Sequence, residues 1–152
     1  MKTLTCVITA ILAIGSALAA TDPWDLPPLN YSDTPATDSI GRLAKELKDG
    51  GTTSIGATPL DQLRHLLALL HIPQESQILV FSKTSKQNNL IHPGNPRSIY
   101  FNENSYIAYV PGGDIEVITQ DPALGPVYYA VDLSGERPTP TISRDTSQCL
   151  NH

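Results

Sequence analysis

Residues 77–131 read QILVFSKTSKQNNLIHPGNPRSIYFNENSYIAYVPGGDIEVITQDPALGPVYYAV. Short β-branched and aromatic runs alternate with Gly, Pro and Asn clusters, the pattern of an antiparallel meander. Strands are predicted at 77–82, 97–102, 105–110, 115–120 and 127–132, with turns at 103–104, 111–114 and 121–125. The run Ile78-Leu79-Val80-Phe81 is nearly continuous in apolar residues, which predicts a central strand covered on both faces. Residues 83–96 read as a long polar loop. Beyond the stretch, Pro138 and Pro140 confine a last extended piece, 139–143, to an edge if it joins the sheet.

Ahead of the stretch the apolar spacing becomes helical. Ile40, Leu43, Ala44 and Leu47 define one short amphipathic helix, with Asp38 or Ser39 placed to cap its start and Gly50-Gly51 to end it. Thr58-Pro59-Leu60-Asp61 begins another: Thr58 caps, proline suits the first helical position and Asp61 favours the positive end of the dipole. Its stripe is Leu60, Leu63, Leu66, Leu67 and Leu70, closed by Pro73. An amphipathic helix and a half-apolar sheet must cover one another. The expected class is α+β, two short N-terminal helices packed on an antiparallel β-meander of about five strands, over residues 38–144. Four prolines in 21–37 predict an extended lead-in, strapped to the surface by Trp24, Leu26, Leu29 and Tyr31.

The chain of 152 residues fits one domain after removal of a targeting segment. Residues 1–20 have Lys2 as their only charge, an apolar run too short to span a bilayer, and an A-x-A processing site at Ala17-Leu18-Ala19. They are expected to be a cleaved secretory signal, which places the product in the periplasm or outside the cell with no membrane anchor. The net charge of −5 becomes more negative without Lys2, and no basic cluster is present. Nucleic acid is therefore not an expected partner, because phosphate binding needs concentrated Lys and Arg. Cleavage also removes Cys6, leaving Cys149 as the one mature thiol.

No catalytic constellation is expected. Ser82, Thr84 and Ser85 stand beside Lys83 and Lys86, but the S-x-x-K spacing fails and G-x-S-x-G is absent, so the hydroxyls are read as turn formers. Asp114, Glu116 and Asp121 are explained by strand alternation and turn chemistry. His65 and His71 are six apart, too far for a pair on one helical face, and His92 has no local ligand companions. Arg97 with Tyr100, Tyr106, Tyr109, Tyr128 and Tyr129 is a candidate anion- or ring-binding face, against the simpler reading of cross-strand packing.

The tail, residues 145–152, ends in Cys149-Leu150-Asn151-His152. Covalent attachment of c-type haem uses C-x-x-C-H, in which two thiolates hold the porphyrin and the histidine ligates iron. Here the string is C-x-x-H, with one cysteine missing.

Several segments resemble the N-terminal region of a family of exported bacterial cytochrome-c-like proteins: residues 66–73, residues 76–85 with F-S-K-T-S, residues 96–102 with P-R-S-I-Y-F-N, and residues 125–129. In that family a run R-x-T-x-x-C-L-x-C-H follows and opens the haem-bearing part. Residues 144–151 are similar to it up to the second cysteine, whose place His152 takes before the chain stops. The resemblance implies an electron-transfer protein truncated inside its attachment motif. By that reading haem c is the family cofactor, Cys149 gives a single thioether, His152 an axial iron bond, and the partner is a periplasmic redox protein. The alternative expectation is a haem-free periplasmic module, without catalytic activity, that binds a protein or a small ligand.

Overall fold

A computed structural model describes residues 21–51, 54–133, 140–146 and 149–151. The expected signal peptide, residues 1–20, and His152 lie outside the described residues. Two helices, α1 (Ser39–Lys48) and α2 (Pro59–Leu69), precede six strands: β1 (Ile78–Val80), β2 (Arg97–Phe101), β3 (Tyr106–Tyr109), β4 (Ile115–Asp121), β5 (Gly125–Asp132) and β6 (Thr141–Asp145). All pairings are antiparallel and the sheet order follows the chain, β1-β2-β3-β4-β5-β6. The class is α+β with a meander of six strands rather than about five, because the piece after Pro140 pairs with β5 along Tyr128↔Asp145 to Asp132↔Thr141.

Local chemistry sets the helix ends. Asp38 caps α1, its Oδ1 accepting from the N–H groups of Ile40 (2.8 Å) and Gly41 (3.1 Å). At the other end Gly50 takes a left-handed φ of +74° and Gly51 N–H closes onto the Glu46 carbonyl at 2.9 Å. Thr58 caps α2 by accepting from Asp61 N–H at 3.2 Å. Its end is closed without a glycine: His71 takes φ +53°, and Ile72 N–H reaches the Leu67 carbonyl at 2.8 Å. Asn102 Nδ2 donates to the freed Leu70 carbonyl at 2.8 Å.

Alternation divides the sheet into two faces. Ile115, Val117 and Thr119 of β4, with Val127, Tyr129 and Val131 of β5, are buried and join Ile40 and Leu43 of α1 and Leu63, Leu66 and Leu67 of α2 around one core, Thr119 excepted as a polar member of the row. The opposite face carries Arg97, Ala108, Glu116, Ala130 and Asp145, and the loop between β1 and β2 lies across it. Ser85 Oγ donates to Glu116 Oε1 (2.7 Å), Gln87 exchanges two hydrogen bonds with the Asp114 backbone (3.0 and 2.5 Å), and Lys86 pairs with Asp145. Ile91, Ala108 and Val110 are buried apart from the main core.

Three expectations are corrected. First, β1 is an edge strand, exposed along Ile78 and Leu79, not a central one. A meander necessarily leaves its first strand at a margin, and an apolar run does not by itself report burial. Second, the lead-in is not extended. It forms a 3-10 turn at Pro23–Asp25 and further turns to Asp33, held by Asp25 accepting from Ser32 N–H (2.7 Å) and Oγ–H (2.9 Å). Tyr31 anchors it from within the core, 1% exposed, its hydroxyl donating to the Pro126 carbonyl at 3.2 Å, and Trp24 and Leu29 pack against the core, whereas Leu26, also expected to anchor, is exposed. The helices thus follow a turn-rich lead-in that sets Tyr31 into the core, instead of opening the domain. Third, Leu60 leaves the α2 stripe and is exposed, since it stands in the first turn.

Candidate functional site

Where the lead-in, α1, β5 and β6 meet, a groove with a volume of about 590 Å³ opens. Its apolar lining is Pro35, Ala36, Ala44 and Ile142, with the ring of Tyr129. Three cationic side chains border it: Arg42 and Lys45 from α1 and Arg144 from β6. Their spacing follows from secondary structure. Arg42 and Lys45 are three apart on one helix, so they share a side of it, and Ile142 and Arg144 are two apart on a strand, so they point the same way.

Each cation is held differently. Arg42 donates to the Thr37 carbonyl at 2.5 Å and to Ser39 Oγ at 3.2 Å. Lys45 is exposed and pairs with Asp49 one turn on, a bond that raises its pKa. The Arg144 guanidinium donates to the carbonyls of Thr34 (2.7 Å) and Tyr31 and lies 4.0 Å over the Tyr31 ring. Its Nε–H is buried and meets no acceptor among the described residues.

The wall behind the groove is a fixed polar network. Tyr129 donates its hydroxyl to Asp38 Oδ2 at 2.5 Å; burial first, and this carboxylate second, push the phenol pKa strongly upward. Asp121 Oδ2 accepts from Thr37 N–H (2.6 Å), Thr37 Oγ–H (2.9 Å) and Asp38 N–H (3.1 Å), while its Oδ1 accepts from Ala123 and Leu124 N–H groups. Burial alone would raise this carboxyl, but the hydrogen bonds from Thr37, Ala123 and Leu124 outweigh it and hold the pKa at about 2. Gly41 lets the layers close: a Cβ there would stand 2.9 Å from the Ala36 carbonyl and 3.0 Å from the Tyr129 hydroxyl. Glycine in the first turn of a helix is unfavourable on propensity alone, so its presence was a readable sign of close approach.

The residues singled out in sequence are dispersed. By strand parity Asp121 faces the helices and Glu116 the opposite side, so the carboxylates of β4 do not form a pair. Tyr100, Tyr109 and Tyr129 lie on the helix face, whereas Tyr106, Tyr128 and Arg97 lie on the other, where Arg97 binds Glu116. Ser82 and Thr84 hydroxyls bond each other at 3.0 Å, and His92 Nδ1 accepts from Gly94 N–H in a turn. No group of three or more His, Cys, Asp or Glu side chains among the described residues is placed to hold a metal ion.

Cys149 sits in a 3-10 turn, Cys149–Asn151, on the side of β6 away from the groove. Its thiol is pushed up to about 11, by burial first and then by a hydrogen bond to Asp145, with Glu116 adding and Lys86 opposing. A porphyrin held by one thioether needs an apolar slot beside the sulfur. Here Asp145 hydrogen-bonds the sulfur, the charges of Glu116 and Lys86 act on it, and the groove is on the opposite face. Sequence reasoning named Cys149 but missed Arg42, Lys45 and Arg144, which only the meeting of three segments brings together.

Comparison with known proteins finds no matching family model, no matching curated protein and no matching solved structure.

Proposed function

We propose that this chain is an exported, haem-free binding module, without catalytic activity, whose groove takes a small ligand with a carboxylate at one end and an apolar body. The observation that carries the reading is the groove itself: apolar lining, and three cations on its border, in a chain whose net charge is −5. Clefts of a few hundred cubic ångströms, mostly apolar with a few convergent polar groups, are the common form of a small-molecule site. Arg144 supports it further, because its guanidinium is fixed at the border of the groove by the Tyr31 and Thr34 carbonyls. The wall network of Asp38, Asp121 and the Tyr129 hydroxyl positions the groove.

Calorimetric titration with octanoate and with octanol tests this. Octanoate should bind at least about tenfold more tightly than the alcohol, and Arg42→Gln should remove most of that preference. Equal affinity for the two probes, or none for either, overturns the reading.

A second reading, an electron-transfer remnant, is favoured by the likeness of residues 144–151 to a haem-attachment run. Expression alongside a c-type haem maturation system, followed by a denaturing gel stained for haem, separates the two. The expected band is colourless; covalent haem on Cys149 would establish the second reading.

A further inference from the structure

We infer that Arg144 is a positioning residue of the groove: from β6 it sets the Pro35-Ala36 wall in place, and it leaves contact with the ligand's carboxylate to Arg42. The inference rests on the binding reading above and begins with what holds that wall. Both residues line the groove. Pro35 has no N–H, and neither Pro35 nor Ala36 takes part in a main-chain hydrogen bond among the described residues. They form a short span whose place is decided at its two ends.

Asp121 fastens the far end, accepting from Thr37 N–H at 2.6 Å. Arg144 fastens the near end. The N–H groups of Asp33 and Thr34 close onto the Asn30 carbonyl at 3.1 and 2.9 Å, and the Tyr31 and Thr34 carbonyls are left without a main-chain donor among the described residues. Arg144 supplies both donors from more than a hundred residues away: Nη1 reaches the carbonyl of Thr34, next to Pro35, at 2.7 Å, and Nη2 reaches that of Tyr31. Its central carbon stands 4.0 Å over the Tyr31 ring, which fixes the plane of the guanidinium. Arg42 contrasts with it. Both its partners, the Thr37 carbonyl and Ser39 Oγ, lie at the start of its own helix, where Asp38 and Asp121 already hold the backbone. A wall set before the ligand arrives removes part of the ordering cost of binding, so the Arg144 anchor should count for charged and neutral ligands alike.

Arg144→Lys tests the role, because lysine keeps the positive charge but not the planar fork that reaches two carbonyls at once. In calorimetric titration octanoate and octanol should both bind this variant about tenfold more weakly, with the preference for octanoate retained. Octanol is the deciding probe, since it has no charge that could miss the cation. Arg144→Gln is the second variant and should lose octanol affinity by a similar factor, with circular dichroism as the check that both variants are folded. Amide hydrogen exchange needs no ligand: in Arg144→Lys it should quicken about tenfold at Thr34 and Thr37 and stay unchanged across β3 and β4. A loss confined to octanoate, or no loss for either probe, overturns the positioning role. Wild-type protein that takes neither probe overturns the binding reading, whereas wild-type exchange rates at Thr34 and Thr37 in Arg144→Lys overturn the anchor itself, so the two failures are told apart.

Discussion

The two faces of one sheet are closed in different ways. On one side α1, α2 and the coiled lead-in bury a continuous apolar cluster that includes Tyr31, Leu66, Ile107, Val117 and Val127. On the other, a polar loop is fastened by Ser85, Lys86 and Gln87 over a few small buried side chains. Hydrophobic burial is non-directional and scales with area, so the first face holds the domain together. Hydrogen bonds and partly buried ion pairs contribute less net energy but fix geometry, so the second face holds a loop in place. Global and local stability should therefore separate by face.

The largest expected effect tests the first half of that contrast. Ile107→Ala removes a fully buried side chain beneath the helices and should destabilise the whole domain by about 3–4 kcal/mol in urea denaturation, with one transition. A loss below about 1 kcal/mol would mean that this face is not the main source of stability.

Acid probes the polar fastening on the apolar side. The Asp121 carboxyl is held at about 2 against an ordinary 3.8, so the unfolded chain binds its proton more readily than the folded one. Stability from this group is full above about pH 5 and falls as pH drops through 4 towards 2, by about 2 kcal/mol in all. Asp121→Asn should lower stability at pH 7 by a similar amount and flatten that part of the pH profile.

Glu116→Gln is the matching test on the loop face, where Glu116 receives both Ser85 and Arg97. The expected global loss is about 1 kcal/mol, with hydrogen exchange rising first across 85–92 and not in β4 or β5. Uniform acceleration across the sheet would show that the two faces are coupled as one unit.

The smallest effect concerns the tail. With its pKa pushed up to about 11, the Cys149 thiol is almost wholly protonated at neutral pH. Iodoacetamide at pH 8 should modify it on the order of 100-fold more slowly than in denaturant, and Asp145→Asn, which removes a neighbouring negative charge, should speed the reaction in the folded protein.

Much of this was legible in advance and some was not. Helix ends were, because caps and closing turns are local: Asp38, Thr58 and Gly50-Gly51 announce themselves within four residues. His71 was read only as too far from His65 to pair with it, since nothing in a single histidine states that its φ will be positive. Strand positions were legible from alternation and turn residues, but the apolar run at 78–81 misled, because continuous hydrophobicity describes a buried strand and an exposed, unpartnered edge equally well. The loop 83–96 gave no sign that it would cover a face. The groove was illegible for the same reason: Arg42, Lys45 and Arg144 are ordinary surface cations until α1 and β6 are set side by side.

The sequence by itself determined the local vocabulary of this protein, its helix caps, turns, strand segments and α+β class, because those depend on interactions spanning a few residues. The tertiary structure alone decided which strand became an edge, that Tyr31 would be core, and that Asp121 would bind the backbone of Thr37 and Asp38 more than eighty residues away. Those outcomes rest on long-range packing, which burial of apolar area selects collectively and no short window of sequence records.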